Sequence, residues 1–143
     1  MAIAFHEAAQ PSFRKYASQI IKNAKTLAEE LQKLGWRIVS GGTDSHLLLV
    51  DTVSQKIPGR DAAVELEKAS IVTNMNTIPY DPRPPMNPSG LRLGTPACAT
   101  RGMKEKEMKK IAEWIDAVLL KKRSPDEVRK DAVVLLKQFP LRY

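Results

Sequence analysis

Five of the ten residues from Pro79 to Pro88 are proline. A helix cannot run through them, because each lacks an amide hydrogen and clashes with the preceding turn, and a central strand would lose its donors. The segment Asn74 to Pro96 is therefore expected to be a fixed-path loop that resolves into a short strand at Leu91-Arg92-Leu93. Alternation along that strand places two leucines on one face and a single arginine on the other. Gly90 and Gly94 bracket it, which suits backbone approached closely by a ligand or by another segment. Loops this long inside a domain are functional or disordered, and the proline density stiffens this one.

Ahead of the loop, Ala17, Ile20, Ile21, Ala24, Leu27, Ala28, Leu31 and Leu34 recur at helical spacing. They predict a helix over Phe13 to Leu34 with one buried stripe, stopped by Gly35. Met1 to Ala9 also reads as helical, without a preceding cap and with Pro11 behind it, as if the chain opened inside an element. Trp36 to Ser40 and His46 to Asp51 predict two strands of a hairpin turning at Gly41-Gly42-Thr43-Asp44, and the leucine run implies burial on both faces. Arg60 to Ala69 predicts a helix with Ala63, Leu66 and Ala69 inward, and the β-branched Ile71 to Thr73 a short strand.

After the loop, the small residues from Thr95 to Gly102 permit close packing. Lys104 to Lys122 predicts a helix burying Met108, Ile111, Ala112, Ile115, Val118 and Leu119. Ser124-Pro125-Asp126-Glu127 is a capping box opening a last helix, with Val128, Ala132, Leu135, Leu136 and Phe139 inward and Pro140 at its end. The expected fold is a single α/β (α+β) two-layer domain over residues 1–143, a small, mostly antiparallel sheet covered by helices.

Lys and Arg number 23 against 16 Asp and Glu, a net charge of +7, so an anionic partner has to be considered. The cations are interleaved with acids, as in Lys104-Glu105-Lys106-Glu107, and no aromatics alternate with them as a base-stacking platform, which disfavours nucleic acid. No apolar run approaches membrane-span length, and Met1 to Glu7 lacks a basic stretch followed by an apolar one, so a cytoplasmic domain is expected. The single cysteine, Cys98, excludes an internal disulfide, and with His6 and His46 it forms no metal spacing. It is expected to be a buried, reduced thiol.

Among candidate site residues Arg92 stands first. Its planar fork matches a carboxylate bidentately, so it reads either as an anion clamp or as half of a structural ion pair with Asp51 or Asp81. Asn74 and Asn76 share a face if the strand continues. An amide such as that of Asn76 can read a heteroaromatic edge, or it can simply tie down a turn. Asp44 and His46 read as an acid–base pair or as a turn anchor beside a satisfied histidine. No glycine-rich phosphate loop and no nucleophile elbow occurs. These residues alone support a binding or accessory domain, the alternative to catalysis being a basic binding or assembly module.

Three longer motifs add to this: SGGTDSHLLLVD at Ser40 to Asp51, NTIPYDPRPPMNPSGLRLGTPA at Asn76 to Ala97, and TRG at Thr100 to Gly102. Together they closely resemble the C-terminal portion of serine hydroxymethyltransferase. The resemblance implies the C-terminal small domain of a fold-type I pyridoxal 5'-phosphate enzyme. The family interconverts serine and glycine and passes the one-carbon unit to tetrahydrofolate. By this resemblance Arg92 binds the amino-acid carboxylate, Asn76 contacts the pteridine of folate, and Pro84, Pro85 and Met86 line the folate site. Met86 stands where some relatives carry phenylalanine, and Ala99 where threonine is frequent. The Thr-rich His-Lys motif that carries the cofactor is missing from the chain. The resemblance therefore implies a partner, the cofactor-binding large domain of a homodimeric parent, and an isolated chain that is inactive and binds neither pyridoxal phosphate nor tetrahydrofolate by itself.

Overall fold

The computed structural model describes residues 1–141. Its longest element is α2, Pro11–Lys33, which starts on a proline at its first turn and is preceded by α1, Ala2–Ala8. Gly35 ends α2 as expected. At φ +90° it donates to Gln32 O at 2.9 Å, and Trp36 N–H donates to Leu31 O at 3.0 Å. This is the paired closure that satisfies the last carbonyls of a helix through one left-handed residue. The expected stripe is buried only in its second half, at Ala24, Leu27, Ala28 and Leu31, whereas Ile21 and Leu34 are exposed. Helix α1 buries no residue and exposes Ile3 and Phe5.

Four antiparallel strands lie in the order β1-β2-β4-β3: β1 Arg37–Ile38, β2 Leu47–Asp51, β3 Asn74–Asn76 and β4 Gly90–Gly94. The first hairpin is present, but its leading strand is only two residues long, because Val39–Gly41 turn into a 3-10 segment with Ser40 at φ 64°. Burial on both faces is not what β2 shows. Leu48 and Val50 are buried against the helices while Leu47 and Leu49 are only half-buried. The sheet therefore has one packed face, made of Ile38, Leu48, Val50, Leu91 and Leu93, and one open face that presents Arg37, Leu47, Leu49, Arg92, Asn74 and Asn76. That is the alternation of an antiparallel sheet with helices on one side only.

Helix α3, Gly59–Lys68, begins one residue earlier than expected and buries Ala62 and Leu66 together with the following Ala69, while Ala63 is partly buried against the same core. The strand expected at Ile71–Thr73 is displaced to Asn74–Asn76. Ile71 is spent instead on closing α3, donating to Leu66 O at 2.9 Å while Ser70, at φ 64°, donates to Glu67 O at 2.9 Å. The stretch of small residues forms a short helix, α4, Pro96–Thr100. Helix α5, Glu105–Leu119, stops three residues short of Lys122, because Lys121 takes the left-handed conformation at φ 55°. Helix α6, Pro125–Gln138, opens on the expected box: the Ser124 hydroxyl accepts from Glu127 N–H and the Glu127 carboxylate from Ser124 N–H. Two buried polar groups pin the layers. Asn23 donates to Met103 O at 2.9 Å, and Trp36 Nε1 donates to Asp116 Oδ1 at 3.0 Å.

Candidate functional site

The open face of the sheet is centred on β4. Leu91 and Leu93 anchor that strand in the core at 0% and 4% exposure, so alternation forces Arg92 outward, where it is exposed. In register it stands between Leu49 of β2 and Asn74 of β3. Both acids considered as its structural partners are committed elsewhere. Asp51 binds Arg37 Nη1 at 2.6 Å through Oδ2 and accepts Ser54 N–H at 3.1 Å through Oδ1. Asp81 binds only residues of the proline-rich segment. Among the described residues, Arg92 pairs with no carboxylate. The side chain opposite it on β3 is a neutral amide. With the Asn74 amide oriented so that its oxygen faces the guanidinium, that oxygen accepts from Arg92 Nη2 at 2.9 Å, and the NH2 group donates to Thr73 O at 3.2 Å.

Asn76 lies on the same face, paired in register with Gly90, and its NH2 donates to Thr77 O at 2.6 Å. The chain then leaves β3, passes through the proline-rich loop and returns to β4 at Gly90. Pro84, Pro85 and Met86 form an exposed stretch of that loop, Met86 at 75% exposure. The loop is held at its base by Asp81, whose carboxylate accepts Ile78 N–H at 3.1 Å, Arg83 N–H at 2.9 Å, Ser89 N–H at 2.9 Å and the Ser89 hydroxyl at 2.5 Å. Burial alone would raise this carboxyl, but the hydrogen bonds from Ser89, Arg83 and Ile78 outweigh it and hold Asp81 well below the usual carboxylate range. Sequence reasoning weighed Asp81 only as an ion-pair partner. Its position two residues after Pro79 and two before Arg83 is the signal of an Asx-type turn that would have found it.

The two glycines flanking Arg92 differ in role. A side chain at Gly90 would meet Ile78 Cγ2 at 2.6 Å and the carbonyl oxygens of Asn76 and Val50 at 3.0 Å, so this residue admits the returning loop. At Gly94 only ordinary contacts would form. Beside the face, a concavity of about 540 Å³ runs from Val39 past Gly42 and Ser45 to Leu47 and Leu49. Asp44 and His46 make no acid–base pair there. Asp44 binds Lys25 at 2.9 Å, His46 is exposed, and the turn is tied by Thr43, which donates to Leu47 O and accepts Ser45 N–H. Arg101 serves structure, donating to Phe139 O at 2.9 Å. Cys98 is half-buried, and no metal-binding cluster exists among the described residues.

The family model for serine hydroxymethyltransferase matches residues 1–115. This chain belongs to the serine hydroxymethyltransferase family. The serine hydroxymethyltransferase of Acidobacterium capsulatum is 50% identical over 143 aligned residues, covering 98% of this chain and 34% of that protein. Those of Phenylobacterium zucineum and Koribacter versatilis are 48% and 47% identical, again covering 98% of this chain and 34% of theirs. The chain thus spans about a third of the length of the curated relatives it matches. The serine hydroxymethyltransferase cofactor named by the resemblance, pyridoxal phosphate, needs a lysine held in a recess beside a ring-binding surface. Every lysine here is exposed, and both histidines, His6 and His46, are exposed as well. The residues present do not make that site. No helix among the described residues is long and apolar enough to cross a membrane.

Proposed function

We propose that this chain is the C-terminal domain of a serine hydroxymethyltransferase and contributes a half-site to the conversion of serine and tetrahydrofolate to glycine and methylenetetrahydrofolate. Arg92 grips the carboxylate of serine or glycine. Its contribution is positional: two charge-assisted hydrogen bonds to the carboxylate fix the orientation of the bonds at Cα before chemistry begins. Asn76 and the exposed stretch Pro84, Pro85 and Met86 form the folate side, with the Asn76 amide facing the pteridine edge and the loop supplying apolar surface. The cofactor and its lysine belong to the remaining two thirds of the enzyme, in a homodimer. The exposed apolar residues of α1, Ile3 and Phe5, belong to the surface that this larger part covers.

The observation that carries this reading is the state of Arg92. It is an exposed guanidinium on the open face of the sheet, and the two acids considered as its structural partners, Asp51 and Asp81, are already bound to other groups. Substitution tests it. In the enzyme assembled from this chain and the portion its relatives carry, Arg92→Ala raises KM for serine by roughly a hundredfold, the worth of a charged hydrogen-bonded contact of about 3 kcal/mol. An unchanged KM for serine would refute the clamp. The 143-residue chain alone, mixed with pyridoxal phosphate, yields only nonspecific lysine adducts and no serine cleavage. Stoichiometric cofactor binding with turnover would refute the half-site.

A further inference from the structure

We propose that Asn74 is a positioning residue that presents the Arg92 guanidinium to the substrate carboxylate, an inference that rests on reading Arg92 as the clamp. The two residues are directly opposed in register on β3 and β4. With the Asn74 amide oriented so that its oxygen faces the guanidinium, the orientation that satisfies both of its ends, that oxygen accepts from Arg92 Nη2 at 2.9 Å and the NH2 group donates to Thr73 O at 3.2 Å. In that orientation the acceptor is itself held in direction by the backbone. On the other flank stands Leu49, which offers no acceptor.

An exposed arginine has about 2 kcal/mol of rotamer freedom to lose when it binds a ligand. One fixed hydrogen bond removes part of that freedom in advance and lowers the cost of binding. A neutral amide does this without cancelling the positive charge. It uses one of the five guanidinium N–H donors, and a bidentate carboxylate needs only two of the remainder. An aspartate of the same shape would instead place a carboxylate permanently on the guanidinium and compete with the substrate for it. Asparagine at this position therefore serves the binding of an anion, and its replacement by its own isostere is expected to be worse than its removal.

The test uses the assembled enzyme and reads KM for serine, kcat, and the dissociation constant of glycine as a binding measurement independent of turnover. Asn74→Ala is expected to raise KM and the glycine dissociation constant by roughly three- to tenfold, the loss of one modest hydrogen bond, with kcat changed by less than about twofold. Asn74→Asp is expected to raise both constants further, by more than about tenfold, because the competing charge must be displaced. Placed on Arg92→Ala, Asn74→Ala has no further effect, since the neutral amide acts only through the arginine. If Asn74→Asp binds glycine as well as the parent does, or if the effect of Asn74→Ala persists without Arg92, the positioning role is overturned while the clamp stands. If Arg92→Ala leaves glycine and serine binding unchanged, the clamp fails, and the role of Asn74 fails with it.

Discussion

The Asp81 carboxylate takes both the backbone N–H of Ser89 at 2.9 Å and its hydroxyl at 2.5 Å, so the outgoing and returning limbs of the proline-rich loop meet on one side chain. Ser89 in turn passes the constraint to the sheet, its carbonyl accepting Thr52 N–H at 3.0 Å and the Thr52 hydroxyl at 3.1 Å. Asp81→Asn keeps the size but substitutes a donor for one acceptor oxygen, leaving two of four donors poorly served. It is expected to cost about 1–3 kcal/mol of stability, read as an earlier midpoint in urea unfolding with an unchanged slope.

The same carboxylate makes the domain acid-sensitive in a defined direction. Its folded-state pKa lies below the unfolded value, so as pH falls the unfolded chain takes up the proton first. The contribution of Asp81 is complete above the unfolded aspartate value of about 4 and is lost as pH drops through the lower folded value. Unfolding midpoints measured from pH 6 down to pH 2 are expected to fall less steeply in Asp81→Asn than in the parent. Parallel curves would show that the loop anchor is not a titrating element.

Two glycines carry the close approach that lets the loop rejoin the sheet. At Gly59 an added Cβ would sit 2.4 Å from Gly90 O and 2.8 Å from Pro88 O, both backbone atoms, and Gly59 N–H already donates to Pro88 O at 2.8 Å. Gly59→Ala must push the strand start away from α3 and is expected to destabilise by about 3 kcal/mol, at the upper end of overpacking costs. At Gly90 the tightest contact is a side-chain atom, Ile78 Cγ2 at 2.6 Å, and the backbone oxygens of Asn76 and Val50 stand farther off at 3.0 Å. Gly90→Ala is therefore expected to cost less, about 1–2 kcal/mol. Thermal midpoints of the two variants check the order.

Burial pushes the Cys98 thiol up, with the nearby Arg101 charge opposing it only in part. The thiolate is the reactive form, so at neutral pH Cys98 is expected to react with iodoacetamide more slowly than free cysteine. The rate should rise steeply only where the protein unfolds. Fast labelling of the folded chain would contradict the half-buried position of this side chain beside the apolar cleft of about 350 Å³ lined by Met108, Ile111 and Trp114.

How much was legible in the sequence follows from how local each signal is. Ser124 and Glu127 announce α6 because both halves of the box lie within one turn, and Gly35 announces the end of α2 because glycine is the residue that ordinarily takes a left-handed φ. The outward direction of Arg92 was legible from the two flanking leucines. The register that sets Asn74 against Arg92 was not, since it is chosen by pairing between segments separated by the whole loop. Ile71, Val72 and Thr73 have the stronger strand propensity, yet Ile71 is used to close a helix and the strand falls on Asn74–Asn76.

That misreading has a common cause with the overrun of α5, and it yields the last prediction. Helices α2, α3, α4 and α5 all end with the same pair of hydrogen bonds around one left-handed residue: Gly35, Ser70, Gly102 and Lys121. Two of the four are glycine and two are not, and α5, whose end the sequence reading overran by three residues, is one of those without it. A Cβ in this conformation costs roughly 1–2 kcal/mol, partly offset because glycine leaves a freer unfolded chain. Ser70→Gly and Lys121→Gly are each expected to stabilise the domain by about 0.5–1 kcal/mol, and their effects should add, because they close different helices. Lys121→Gly keeps the neighbouring Lys122 on Asp116 at 2.6 Å, so its gain is not confounded by losing that pair. A fall in the unfolding midpoint for both variants would mean that these side chains make contacts worth more than the strain they impose.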